Sequence, residues 1–152
     1  MIRIAGHRKA GDRIVFTNGC FDILHVGHVR YLTSAKKEGD ILVVGLNSDE
    51  SVKSIKDPNR PIIHQNQRAE VVAGLGCVDY ITIFDEPDPL LIIQAVKPDV
   101  LVKGSDWPEE KIVGNDFVKQ SGGRVVRIPI VDEVSTSSII RRIVSLYHLN
   151  LA

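Results

Sequence analysis

Five short apolar runs, each bounded by turn-forming residues and separated from the next by an amphipathic stretch, narrow what this chain can become more than any other feature. They lie at residues 13–17, 41–46, 80–84, 100–102 and 124–128. A strand apolar on both sides is stable only where both faces of its sheet are covered, and the helices that supply the cover also provide the long crossovers that parallel strands need. The pattern predicts an α/β fold, a Rossmann-like doubly wound parallel sheet in a three-layer α/β/α arrangement. Helices are expected at residues 27–38, 66–75, 88–97, 115–121 and 137–147, with Gly39, Gly76 and Gly122 as C-terminal stops.

No repeat, low-complexity tract or Pro/Gly/Ser-rich linker interrupts the series, and 43% hydrophobic residues suffice for one core, so residues 1–152 are read as a single domain. The most polar stretch, residues 48–68, carries Lys53, Lys56, Arg60 and Arg68 and is a candidate for a mobile loop, its order left open by the sequence. Lysine plus arginine equal aspartate plus glutamate at 19 each, which removes the broad basic field that a nucleic-acid partner would call for. Any anion site must be local. The two cysteines, Cys20 and Cys77, fit no metal-ligand spacing and are read as reduced. No apolar run reaches signal-peptide or membrane-spanning quality, so a cytoplasmic protein without a membrane partner is expected.

Ligands of such sheets bind beyond the carboxyl ends of the strands, near the point where strand order reverses. After the first strand comes Thr17-Asn-Gly-Cys-Phe-Asp-Ile-Leu-His-Val-Gly-His28, a loop running into a helix. His25 and His28 bracket Gly27 where that helix begins, so both imidazoles can meet an anion held by the unpaired N–H groups and positive end of the helix. Gly27 lets a phosphate come close to the backbone. This suits attack on an α-phosphate, in which charge grows on the equatorial oxygens and on departing pyrophosphate, with no covalent nucleophile. An isolated histidine pair is more often a surface or core feature; here its place just after a strand favours the phosphate reading. Zinc is set aside, because Asp22 is the one nearby residue that could extend the two histidines into a ligand set.

Three further segments are candidates. Ser135, Thr136 and Ser137 precede the last helix, where they are either a cap or, if they face the histidine loop, the second jaw of a triphosphate clamp. Lys103-Gly-Ser-Asp-Trp107 follows the fourth strand and is either a turn with Trp107 as a packing anchor or an edge for base and ribose. Lys53 and Lys56 are either solvated charges or mobile phosphate clamps, with Lys56 preferred.

Together these elements resemble the cytidylyltransferase-like superfamily over about residues 12–146. Asn47-Ser-Asp49, Arg60-Pro61, Gln67-Arg68, Lys97-Pro-Asp-Val-Leu-Val-Lys-Gly104 and Gly122-Gly123 are most similar to the heptose 1-phosphate adenylyltransferase domains of bacterial ADP-heptose synthesis. The resemblance implies ATP, with Mg²⁺, and a sugar 1-phosphate, D-glycero-D-manno-heptose 1-phosphate, as substrates, and ADP-heptose and pyrophosphate as products. It implies catalytic roles for His25, His28 and Lys56. Nucleotide contacts are implied for Thr17, Asn18, Gly19, Cys20, Phe21, Asp22, Gly27, Lys103, Gly104, Asp106, Trp107, Ser135, Thr136 and Ser137, and acceptor contacts for Asp22, Asn47, Lys56 and Arg68. It further implies a homo-oligomer, a dimer first, and a separate heptose kinase and phosphatase as pathway neighbours. Glycerol-phosphate cytidylyltransferases carry an arginine ahead of the Ser-Thr element where this chain has Ile130 and its neighbours, which counts against a CTP enzyme acting on glycerol 3-phosphate; a cytidylyltransferase for a phospho-alcohol such as glycerol 3-phosphate or phosphoethanolamine stays the rival of the same fold, separated by nucleotide preference. A nucleotide-binding regulatory module without turnover is the reading from another class; the intact histidine pair argues against it.

Overall fold

The structure, a computed structural model, describes residues 2–129 and 134–147. Its elements run α1 (Ile2–Ala10), β1 (Ile14–Gly19), α2 (Val26–Lys36), β2 (Ile41–Asn47), α3 (Asp49–Ile55), α4 (Gln65–Ala73), β3 (Tyr80–Phe84), α5 (Leu90–Val96), β4 (Val100–Gly104), a 3₁₀ turn (Glu109–Lys111), α6 (Asn115–Gln120), β5 (Arg124–Ile128) and α7 (Thr136–Tyr147). The five strands form one parallel sheet in the order β3-β2-β1-β4-β5, so the direction of winding reverses between β1 and β4. β1 follows β2 along its whole length, from Ile14↔Ile41 to Gly19↔Leu46, but is paired with β4 only at Val15↔Val100 and Phe16↔Leu101.

Alternate residues of each strand go to opposite faces, and each face has its own core. Val15, Leu42, Val44, Leu46, Val100 and Val102 pack with Leu32 and Ala35 of α2 and Val72 of α4. Ile14, Phe16, Val43 and Leu101 pack with Ile93 and Val96 of α5, Ile112 and Val118, with Ile4 of α1 at the margin. The three-layer α/β/α fold is what the apolar runs require.

Three local expectations are corrected. Residues 48–68 contain α3 and the start of α4: Ser48 caps α3 by accepting from the Ser51 N–H, and Asp49 and Glu50 lie on the favourable end of its dipole. Gly39 and Gly76 do not end α2 and α4, whose C-caps are Lys37 and Gly74. Gly39 is required instead by a close approach, since a Cβ there would lie 2.7 Å from the Arg13 carbonyl oxygen and from Val15. Gly122 does follow α6 in the left-handed conformation, at φ +84°. The third correction is α1, which has no counterpart in the periodicity and is fastened by polar groups: His7 bonds Asp12 at 2.7 Å and the Tyr80 hydroxyl at 2.8 Å.

Candidate active site

The loop between β1 and α2 opens at the point of reversal. Thr17 is fully buried and its hydroxyl meets the Tyr31 hydroxyl at 2.8 Å, tying the end of β1 to the inner face of α2. Burial pushes the Tyr31 phenol up to about 12, so it remains a neutral hydrogen-bonding group. Asn18 accepts from the Lys103 ammonium at 2.8 Å, which bridges β1 to β4 just where the two strands stop pairing. Gly19 leaves room for the ring of Phe21, 2.9 Å from where its Cβ would stand. Phe21 itself sits in the left-handed region at φ 46°, a strained conformation for an aromatic residue that a well-packed surround must hold.

His25 occupies the N-cap of α2 in an extended conformation but makes no side-chain cap bond. Its ring stacks on that of His28, with centroids 3.8 Å apart and planes at 25°, and the edge of Phe21 closes on His28 at 5.2 Å. Burial lowers the affinity of both imidazoles for a proton, to about 4 for His28, where the neighbouring His25 adds to the effect. Both rings are therefore neutral near pH 7. The Nδ1 atoms of both are buried with no hydrogen-bond partner among the described residues. Unpaired polar atoms of this kind are costly and concentrate where a ligand completes the set. Gly27 is the residue that makes the stack possible: a Cβ there would stand 3.0 Å from two atoms of the His25 ring and 3.5 Å from Val134.

That second contact is informative, because Val134 belongs to the segment leading into α7. The Thr136 hydroxyl also reaches toward the Ile23 carbonyl oxygen, at 3.5 Å. The N-termini of α2 and α7 are thus brought side by side, the condition under which the Ser-Thr-Ser element could act as a second jaw. Ser135 caps α7, its hydroxyl accepting from the Ser138 N–H at 3.0 Å while the Ser138 hydroxyl meets the Ser135 N–H at 2.9 Å. Ser137 is on the first turn. Ile130 lies outside the described residues.

On the β4 side, Gly104 ends the strand and Trp107 closes a turn back onto its carbonyl at 3.2 Å. Lys103 lies under the Trp107 ring, 5.8 Å from its centroid, and burial pulls its ammonium down to about 8 against the opposing charge of Asp106. Asp106 and Trp107 are exposed, so this edge is open to a planar ligand.

The acceptor side looks different from the sequence expectation. Asp22 has a fully buried carboxylate that accepts from Arg60 Nε and from the Ile62 and Ile63 N–H groups. Burial pushes this carboxyl up, but the two backbone donors and Arg60 outweigh it and hold it below the usual range. Arg68, the largest fully buried side chain, donates to the carbonyls of Ile63 and Cys20 and to Asp49. Asn47 donates to Ser51, which donates to the Glu86 carbonyl. These three residues are brought to the site, but the polar contacts described for them are to the protein itself. Lys56 is exposed at the C-cap of α3, and its charge is the leading one opposing the burial that raises the Cys20 thiol. Sequence reasoning did not single out Tyr31 or the Ile62 and Ile63 amides. Tyr31 stands three residues after His28, the spacing that places both on one helix face, whereas backbone donors leave no trace in side-chain pattern.

A cytidylyltransferase-like family model matches residues 16–142. The bifunctional protein HldE of Syntrophotalea carbinolica is 52% identical over 140 residues, 92% of this chain and 29% of that protein. HldE of Geobacter metallireducens is 52% identical over 144 residues, 95% of this chain and 29% of that protein. The chain thus spans under a third of the length of these curated relatives. The crystal structure of the lipopolysaccharide core biosynthesis protein from Thermoplasma volcanium aligns with a TM-score of 0.66 at 32% identity, over 80% of this chain and 98% of that one. Pantothenate synthetase from Thermus thermophilus aligns with a TM-score of 0.55 at 15% identity, over 90% of this chain and 65% of that one, a likeness of fold.

Proposed function

Since the chain belongs to the cytidylyltransferase-like family, we propose that it transfers AMP from ATP to D-glycero-D-manno-heptose 1-phosphate, releasing pyrophosphate and forming ADP-heptose for surface polysaccharide assembly. The observation that carries the reading is the neutral, stacked pair His25 and His28 at the N-terminus of α2, facing the N-terminus of α7. The HldE relatives and the lipopolysaccharide core biosynthesis protein support the sugar side of it.

In this reading the triphosphate lies across the two helix ends, with Ser135, Thr136 and Ser137 on one side and the loop from Thr17 to Asp22 and Gly27 on the other. A phosphate oxygen of the sugar attacks the α-phosphorus, a new P–O bond forms, and the bond to the β-phosphate oxygen breaks as pyrophosphate departs. Neutral His25 and His28 donate hydrogen bonds to oxygens whose charge rises in the transition state, and Lys56 adds a cation there. The base and ribose lie along Lys103, Gly104, Asp106 and Trp107, while Asp22, Asn47 and Arg68 build the wall beside the acceptor. Mg²⁺ fits as an ion carried on the triphosphate, where it neutralises charge: among the described residues no three His, Cys, Asp or Glu cluster to cage it, and the Asp22 carboxylate is already taken. A cytoplasmic location is part of the proposal; no described helix is long and apolar enough to cross a membrane. A homodimer is part of the proposal, supported by the exposed Ile143, Val144, Leu146 and Tyr147 of α7 and tested by sedimentation.

The decisive experiment is pyrophosphate release with ATP, CTP, GTP and UTP against heptose 1-phosphate anomers and glycerol 3-phosphate, with magnesium present. ATP with a heptose 1-phosphate is the expected pair; turnover only with CTP and glycerol 3-phosphate overturns the substrates, and none with any pair overturns the reaction.

A further inference from the structure

The seven residues 57–63 that connect α3 to α4 form a strap across the β1–α2 loop, and the strap is fastened at two points. At the first, the buried Asp22 carboxylate holds Arg60 Nε and the Ile62 and Ile63 N–H groups. At the second, Arg68, one turn into α4, bonds the Ile63 carbonyl, the Cys20 carbonyl and Asp49 at the start of α3. Both fasteners end in the same loop, at Asp22 and Cys20. A carboxylate has about four acceptor sites, and here they serve the strap. Lys56 is the residue immediately before the strap; its N–H bonds the Val52 carbonyl at 3.0 Å, but its ammonium has no hydrogen bond or ion pair among the described residues, so nothing but its backbone aims it. Its charge opposes the burial that raises the Cys20 thiol and adds a little to the lowering of the Lys103 ammonium.

We propose that Asp22 and Arg60 form a clasp that positions Lys56 over the phosphate loop, acting through the strap as positioning residues and not as ligands of the acceptor. The clasp explains why an acidic side chain sits in a loop meant for anions: its charge is spent internally on donors that close the chain over the site. It also explains the exposure of Lys56, which is left free to follow the transferring phosphate while its point of attachment stays fixed. The role deepens the nucleotidyl-transfer reading and rests on it in its kinetic arm.

That arm is a double-mutant cycle on ATP-dependent pyrophosphate release with Asp22→Asn, Lys56→Ala and the double variant. Loss of an electrostatic donor to the transition state commonly costs about 100-fold or more in kcat, and Lys56→Ala should lose on that order with ATP affinity little changed. Asp22→Asn should lose a large part of the same factor, and in the Lys56→Ala background it should cost less than about 3-fold. Equal losses in both backgrounds overturn the clasp. The second arm needs neither turnover nor Asp22: Arg60→Gln loosens the strap from its partly exposed side, and the Cys20 thiol, in a Cys77→Ser background, reports where the Lys56 charge lies through the pH dependence of its alkylation. With the clasp intact, Lys56→Ala should shift that titration upward; with Arg60→Gln present the shift should shrink. An undiminished shift overturns the clasp, whereas failure of the wild-type chain to release pyrophosphate overturns the reaction and leaves this arm decisive.

Discussion

Gly27→Ala separates stability from catalysis. On the stability side the change is small: Gly in the middle of a helix costs about 0.5–1 kcal/mol relative to Ala, Gly27 is only the second residue of α2, and the displaced ring offsets the gain, so Tm should move by less than roughly 4 °C. On the catalytic side the added Cβ would stand 3.0 Å from Cε1 and Nδ1 of His25. Carbon contacts are comfortable at about 3.5 Å and beyond, so the ring must retreat by roughly 0.5 Å or rotate off its stack. A misplacement of 1 Å at a reacting centre costs on the order of 100-fold, so half of that is worth about 10-fold in kcat. The contact with Val134 at 3.5 Å is ordinary and adds nothing to the effect. The assay pairs thermal unfolding with pyrophosphate release, and Gly6→Ala in α1 is the control, since a Cβ there meets nothing within 4 Å. The expected result is a variant within roughly 4 °C of the parent in Tm and about tenfold slower. A Gly27→Ala protein that is stabilised and fully active refutes the idea that the position of the His25 ring matters.

His28→Ala should lower kcat far more than it weakens ATP binding, because the interaction strengthens only as charge develops; steady-state kinetics beside calorimetry will show it, and an equal effect on both refutes the role. The depressed proton affinity of His28 sets a pH window: the unfolded chain takes up its proton at about 6.5 and the folded one only near 4, so stability from this group is present above about 6.5 and is lost as pH falls toward 4. Denaturant midpoints should decline over that interval, and His28→Gln should flatten the decline. Arg68→Met leaves the Asp49 carboxylate and two carbonyls without their donor and should cost about 3–5 kcal/mol, lowering Tm by roughly 6–20 °C; a loss of activity with unchanged Tm would instead mark Arg68 as a direct ligand.

The sheet was legible because parallel strands buried on both faces must be apolar throughout, and a run as short and as apolar as Ile41 to Leu46, set between turn residues, suits little besides a buried strand. The loop after β1 was legible as a candidate site because His25 and His28 stand at fixed spacing around Gly27, and the structure stacks the two rings. What escaped were structures held by polar groups. α3 has only Val52 and Ser51 buried, so its signal lay in Ser48, Asp49 and Glu50 and not in periodicity. The partners of Asp22 include two backbone amides, which every residue but proline offers alike, so no pattern of side chains could mark Ile62 and Ile63. The burial of Arg68 was not legible, because it depends on three acceptors that come from three separate segments.

The sparse pairing of β1 with β4 means that the one sheet is joined at its middle by its shortest ladder, at the base of the two strands. One half, β1, β2 and β3, carries the histidines and the strap; the other, β4 and β5, carries Lys103 and Trp107. Beyond Phe16↔Leu101 the halves are joined across the gap by the bond from Lys103 to Asn18. A nucleotide in that wedge would serve as the missing rungs of the ladder, so that occupancy and cohesion of the sheet become one quantity: amide exchange along the seam should slow with ligand far more than exchange between β1 and β2, which are already laced together.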